Sequence, residues 1–273
     1  MRTEKNDTKK IFWSKGPCST ALFFILNREF GYPKPAEEYA ADPFCGGMMR
    51  KGYQCGMLWG TSLAAGAEAW RRYPDRGQSI TAAITATQHL MDSFSRRKKT
   101  VNCHDITRFD TTTKWGMAKF FLTGKPLACT NLAAAWAPEA IRAVGEGLSS
   151  GQNDIPDLPM SCASEVARKM GASDEEVVMV AGFAGGLGLS GNACGALSAA
   201  IWLKTLDHCK EHPGNPPDPN TKAIKVQETF QEFTGNEFQC DKICGQRFKT
   251  IGDHTEFIKN GGCKNLIDLL ART

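Results

Sequence analysis

No Cys-x-x-Cys pair and no Cys-x-x-Cys-His run occurs among the eleven cysteines of this chain. Their absence excludes a thioredoxin-like dithiol motif, the compact ferredoxin spacing and covalent c-type haem attachment. Charge of one sign is also scarce: 33 basic and 29 acidic side chains leave a net charge of +4. The basic runs Lys9-Lys10 and Arg96 to Lys99 are short and carry no interleaved aromatics, so nucleic acid is not an expected partner. The first thirty residues lack a secretory pattern, because Lys5, Lys9, Lys10 and Lys15 precede only the short run Ala21 to Leu26, followed by Arg28 and Glu29. This predicts a cytoplasmic protein, a reducing setting in which eleven cysteines are poor material for a disulfide framework.

What is present is a duplication. Cys18, Cys55, Cys103 and Cys129 are separated by 37, 48 and 26 residues, and Cys162, Cys194, Cys240 and Cys263 by 32, 46 and 23. Local context repeats as well: Phe44-Cys45-Gly46-Gly47 stands before Gln54-Cys55-Gly56 as Phe183-Ala184-Gly185-Gly186 stands before Ala193-Cys194-Gly195, with eleven residues from Phe to Cys in both (55−44, 194−183). The expected repeats are residues 13–148 and 159–273, with the boundary at Ser149 to Leu158. Cys45, Cys209 and Cys244 have no counterpart across the copies and are set aside as small buried residues rather than ligands.

Apolar spacing of three and four residues predicts helices over Cys18 to Phe30, Ser62 to Arg72, Ile80 to Phe94, Pro138 to Leu148, Ser161 to Met170, Leu197 to Leu206, Ile224 to Phe233 and Lys264 to Leu270. Strand alternation is hard to find. The expected fold is all-α, two pseudo-symmetric helical lobes from an internal duplication. The uncharged stretch Val177 to Leu203 is long enough for a bilayer, yet its six glycines rule out one continuous helix and predict a buried segment, not a membrane span.

Cys18 and Cys162 begin predicted helices, and Cys55 and Cys194 sit between a glycine loop and a helix. Sulfur at a helix N-terminus feels the positive end of the dipole, which favours the metal-binding thiolate. Four such thiolates per copy suit an iron-sulfur cluster, [2Fe-2S] or [4Fe-4S], with Gly46, Gly47, Gly56, Gly185, Gly186 and Gly195 as amide donors toward it. Zinc is a second all-sulfur possibility, although no histidine recurs at matching positions: His104 beside Cys103 is answered by Asp241. Metal-free thiol-disulfide chemistry is a third, and a helical scaffold with structural cysteines a fourth. The glycines Gly182 to Gly191 lack the flanking βαβ unit of a dinucleotide site. Asp105, Asp110 and Glu139 read as caps rather than acids or bases, and the five histidines as mostly surface or capping residues.

These residues resemble the C-GCAxxG-C-C family, present here twice over nearly the whole chain. Each copy has the early cysteine (Cys18-Ser19-Thr20-Ala21, Cys162-Ala163-Ser164-Glu165), the Phe-x-Gly-Gly loop, the Cys-Gly-led helix and two late cysteines. The resemblance implies a helical, redox-active protein suspected of electron transfer, and similarity to the iron-sulfur part of split-Soret cytochromes implies a bound cluster. An electron carrier or redox subunit with an unidentified protein partner is the expected function, and a homodimer is an open expectation. Each copy departs from Cys-Gly-Ala-x-x-Gly once: Met57 replaces the alanine in Cys55 to Gly60, and Ala199 replaces the last glycine in Cys194 to Ala199.

Overall fold

The computed structural model describes residues 5–150 and 159–273, so most of the expected boundary lies outside the described residues. Every regular element among them is helical, apart from two isolated β-bridges. The helices fall into two series of seven. The first is α2 (Cys18–Glu29), α3 (Pro35–Tyr39), α4 (Gly56–Arg72), α5 (Arg76–Lys98), α6 (Cys103–Thr107), α7 (Lys114–Leu122) and α8 (Lys125–Ser149). The second is α9 (Cys162–Lys169), α10 (Asp174–Met179), α11 (Gly195–Glu211), α12 (Thr221–Thr234), α13 (Cys240–Cys244), α14 (Ile251–Lys259) and α15 (Lys264–Arg272). An additional helix, α1 (Lys5–Lys15), packs on α2 and α8.

Local chemistry sets these boundaries. Asp75 caps α5 by accepting from the Gln78 amide at 2.8 Å, Ser173 and Glu176 form a capping box on α10, and Thr113 and Thr250 cap the equivalent helices α7 and α14. The periodic segments coincide with helices to within one residue at each overrunning end, but Pro138 does not start one: α8 begins thirteen residues earlier (138−125) and carries that proline internally. Short helices such as α3, α6, α10 and α13 escaped the sequence reading because five or six residues display too little periodicity.

The halves interlock around one continuous core. Helix α10 packs against α4, and reciprocally α3 packs against α11, where Trp202 donates its indole N–H to the Glu37 carbonyl at 3.2 Å. A Cβ on Gly66 would run into the Met179 backbone, so the α4 contact with α10 depends on that glycine. Gln54, fully buried, bridges the halves by donating to the Gly186 carbonyl at 2.9 Å and accepting from the Ala193 amide at 3.2 Å. The Val177 to Leu203 segment is almost entirely buried, and no described helix is long and apolar enough to cross a membrane.

Candidate functional site

The loop before each Cys-Gly helix makes a left-handed turn, which residues with a Cβ adopt only at a cost of about 1–2 kcal/mol each. Gly46, Gly47, Met48, Met49 and Arg50 have φ of 71°, 78°, 56°, 50° and 62°; Gly185, Gly186, Leu187, Gly188 and Leu189 have 57°, 83°, 70°, 61° and 62°. Five non-glycine residues in this conformation, in matching places, mark a conformation imposed by its surroundings. The turn closes through Gly52 N–H to the Gly46 carbonyl at 3.0 Å and, in the second half, Gly191 N–H to the Gly185 carbonyl at 2.9 Å.

Immediately after the turn, a single β-bridge joins the second and third cysteines of each half. Gln54 pairs with Asn102 and Ala193 with Gln239. The Cys55 amide donates to the Val101 carbonyl at 2.8 Å and the Cys103 amide to the Tyr53 carbonyl at 2.7 Å; Cys194 to Phe238 at 2.8 Å and Cys240 to Asn192 at 2.6 Å repeat the pattern. The bridge brings together cysteines separated by 48 and 46 residues.

Each half thus gathers its repeated cysteines, and with them a fifth. In the first half the Cys18 thiol lies against those of Cys45 and Cys55, and Cys18, Cys45, Cys103 and Cys129 line one pocket. In the second, Cys162, Cys194, Cys240, Cys244 and Cys263 line one small cavity, with Cys244 sulfur 3.8 Å from Cys240 and 3.5 Å from Cys263. The structure therefore brings Cys45 and Cys244, set aside in the sequence reading, into the thiol clusters. They come from different places: Cys45 stands in the turn where the second half has Ala184, and Cys244 stands one helical turn after Cys240 where the first half has Thr107. Cys209 alone lies apart, fully buried in α11. All eleven cysteines are free.

The expected lowering of thiol pKa at helix starts is not what the surroundings produce. Cys103 and Cys162 are each pushed up to about 12, chiefly by burial and then by neighbouring thiols, and Cys129 to about 11 by burial. At Cys18 the hydrogen bond with Cys45 pulls downward, but the bond with Cys55, burial and the adjacent thiols raise it overall. Cys194 and Cys263 are also raised, Cys194 mainly by burial and Cys263 mainly by its bond with Cys244. At Cys103, Cys162 and Cys194 desolvation outweighs the dipole because these sulfurs are buried in protein.

Among the six glycines, Gly185 donates its N–H to the Cys162 sulfur. Gly56 has a packing role: a Cβ there would lie 2.7 Å from the Cys18 sulfur and 2.8 Å from the Phe44 carbonyl oxygen. At Gly195 a Cβ would collide with the Phe183 carbonyl, and at Gly186 it would lie 2.7 Å from the Asn192 carbonyl. Gly46 and Gly47 hold the left-handed turn, and the Gly47 amide donates to the Phe44 carbonyl.

His254 is a site residue that sequence reasoning missed. It is 1% exposed, lines the second cavity, and donates from Nδ1 to the Met160 carbonyl at 3.1 Å, which leaves Nε2 unprotonated. Burial lowers its pKa to about 4. Met117 occupies its place in the first half (254−240, 117−103), so comparing histidines across the copies gave no signal. Asp105 bonds to Thr100, Asp110 to Thr112, and Glu139 pairs with Arg97 on the surface, so none of the three serves the thiols.

Two clusters of five thiols related by pseudo-symmetry, in a helical fold, define a duplicated cysteine-site protein. The family model described as "Putative redox-active protein (C_GCAxxG_C_C)" matches residues 17–140 and again 160–273, and the chain belongs to that family. No curated protein and no solved structure matches it. Among the described residues no group of three or more His, Cys, Asp or Glu side chains is arranged to hold a single metal ion.

Proposed function

We propose that each half carries an iron-sulfur cluster on its repeated cysteines, Cys18, Cys55, Cys103 and Cys129 in the first and Cys162, Cys194, Cys240 and Cys263 in the second, and that the protein is an electron carrier or redox subunit. The observation that carries this reading is the convergence of five free thiols per half, assembled by the same turn and bridge. The donor set fits: five sulfurs gather in each half with an amide donor at Gly185, no carboxylate lines either cluster, and His254 is the one imidazole beside them. A bound cluster would supply reversible one-electron transfer. The protein's own contribution is to hold the sulfurs in place, seal the second centre from water, and direct the Gly185 N–H at Cys162.

The raised thiol pKa values favour this reading over metal-free disulfide exchange. Thiols pushed to about 11 or 12 hold little thiolate at neutral pH and are weak nucleophiles, whereas a metal takes the place of the proton. Free thiols in this number also suit a reducing, cytoplasmic setting and a protein redox partner.

Iron and acid-labile sulfide per chain, measured on protein purified without oxygen with a visible spectrum on the same sample, test the proposal. Comparable iron and sulfide with a brown chromophore are expected, and Cys55→Ala and Cys194→Ala should each remove one half's share while helicity persists. Zinc in place of iron would make the centres structural, and a metal-free protein whose thiol count changes with oxidant would leave the disulfide reading.

A further inference from the structure

The two centres differ in access, and the cause can be read residue by residue. The left-handed turns superpose position for position, so Arg50 stands where the second half has Leu189, both at φ 62°. Eight residues after the third cysteine, Thr111 stands where the second half has Phe248 (111−103, 248−240). Leu189 and Phe248 are 3% and 5% exposed, and both flank Gly185, with a Cβ built there lying 2.8 Å from one side chain and 3.4 Å from the other. They form an apolar plug, and the second cavity is only about 10 Å³. In the first half the same space is bordered by the Arg50 backbone, the Arg50 Cγ and the Thr111 hydroxyl, which donates to the Arg50 carbonyl at 3.2 Å. No plug forms, and a pocket of about 430 Å³ opens beside the thiols.

Two further differences widen that pocket. Cys129 follows Cys103 by three residues more than Cys263 follows Cys240, and α7 presents Phe120 and Phe121 to the opening, with Phe121 62% exposed. Helix α1, which has no equivalent among the described residues of the second half, supplies Phe12 and Trp13 as another wall. The volume falls within the usual range for small-molecule sites, and the walls are mostly apolar. Arg50 is the one charged side chain among the described lining residues, with no ion-pair partner within 4 Å among them. Asp42 feels the Arg50 charge, yet burial raises its carboxyl overall.

We propose that the first half's pocket binds a small molecule with an aromatic or similarly broad apolar body and one anionic group, the body against Phe120, Phe121 and Trp13 and the anion at Arg50. The second half's sealed centre has no such ligand. Four thiols line the same pocket, so a cluster held there would share its volume, and the ligand is assigned to the walls at Phe120, Phe121, Trp13 and Arg50.

Two fluorescent probes of one shape test it on the full chain: the anion 8-anilinonaphthalene-1-sulfonate and the neutral N-phenyl-1-naphthylamine. Both should bind saturably at one site per chain. Arg50→Leu, which imports the second half's residue, should weaken the sulfonate about tenfold, the worth of one charge-assisted contact, and leave the neutral probe unchanged. Arg50→Leu with Thr111→Phe should rebuild the plug and abolish both. Phe121→Ala, an exposed position that folding does not require, should weaken both probes alike. Non-saturable binding, or undiminished binding of both probes to the plugged variant and to Phe121→Ala, would overturn the proposal. Iron measured on the same samples keeps the two readings apart, since a chain without iron that still binds the probes would sink the cluster and leave the pocket.

Discussion

Phe44 and Phe183 occupy the same position in the two copies and meet edge to face, with ring centroids 5.5 Å apart and planes at 84°. Equivalent residues touch in this way only near a pseudo-two-fold axis, so the internal symmetry passes between these rings. Trp59 completes the cluster, 5.2 Å from Phe44 and 4.8 Å from Phe183. All three side chains are fully buried. The duplicated chain is thus arranged as a two-fold dimer would be, with each half's short helix on the other half's long one.

Removing one of these rings should destabilise both halves together. Phe183→Ala is expected to cost about 3–5 kcal/mol, the usual range for emptying a buried phenylalanine site. Urea unfolding followed by helicity and by tryptophan fluorescence should show one shifted transition. Two separate transitions would mean that the halves fold independently despite the shared core.

The fifth thiols are expected to be dispensable for metal. Cys45→Ala and Cys244→Ala should retain the iron of the wild type, because each leaves its half's four repeated cysteines intact. A loss as large as that from Cys55→Ala would make Cys45 or Cys244 a ligand in place of a repeated cysteine. Iron per chain by elemental analysis distinguishes the two outcomes.

The last position of the motif should respond unequally in the two copies. A Cβ at Gly60 would collide with the Ser19 carbonyl on α2, so Gly60→Ala is overpacked and should lose about 1–3 kcal/mol. The reverse exchange, Ala199→Gly, puts glycine into the buried interior of α11 and should cost about 1 kcal/mol through helix propensity. Thermal unfolding of the two variants checks the order.

His254 should make stability pH-dependent. Its folded pKa of about 4 lies below the unfolded value, so between roughly pH 4 and 6.5 the unfolded chain binds the proton more readily. Stability from this group is therefore full above pH 6.5 and is lost as pH falls toward 4, by about 3 kcal/mol over the whole window. His254→Met, which copies the first half, should flatten that part of the curve. The difference between wild type and variant in urea midpoint at pH 7.5 and pH 5 measures it, and no difference in slope would place the imidazole in contact with water.

The sequence by itself determined the duplication, the helical class and the eight repeated cysteines, because periodicity and equal spacing survive in one dimension. Proline and glycine between α2 and α3 and between α11 and α12 interrupt the helices by acting on the local backbone alone. The sequence did not reveal Cys45 and Cys244 as site residues, since each joins its cluster through a contact absent from the other half. Nor did it reveal the direction of the thiol pKa shifts: a helix start is legible in sequence, but desolvation depends on what covers the sulfur. The difference between an open and a sealed centre was likewise decided only in three dimensions. Arg50 with Thr111 and Leu189 with Phe248 are each separated by about 60 residues in the chain, and only the bridge that joins the second and third cysteines sets them side by side.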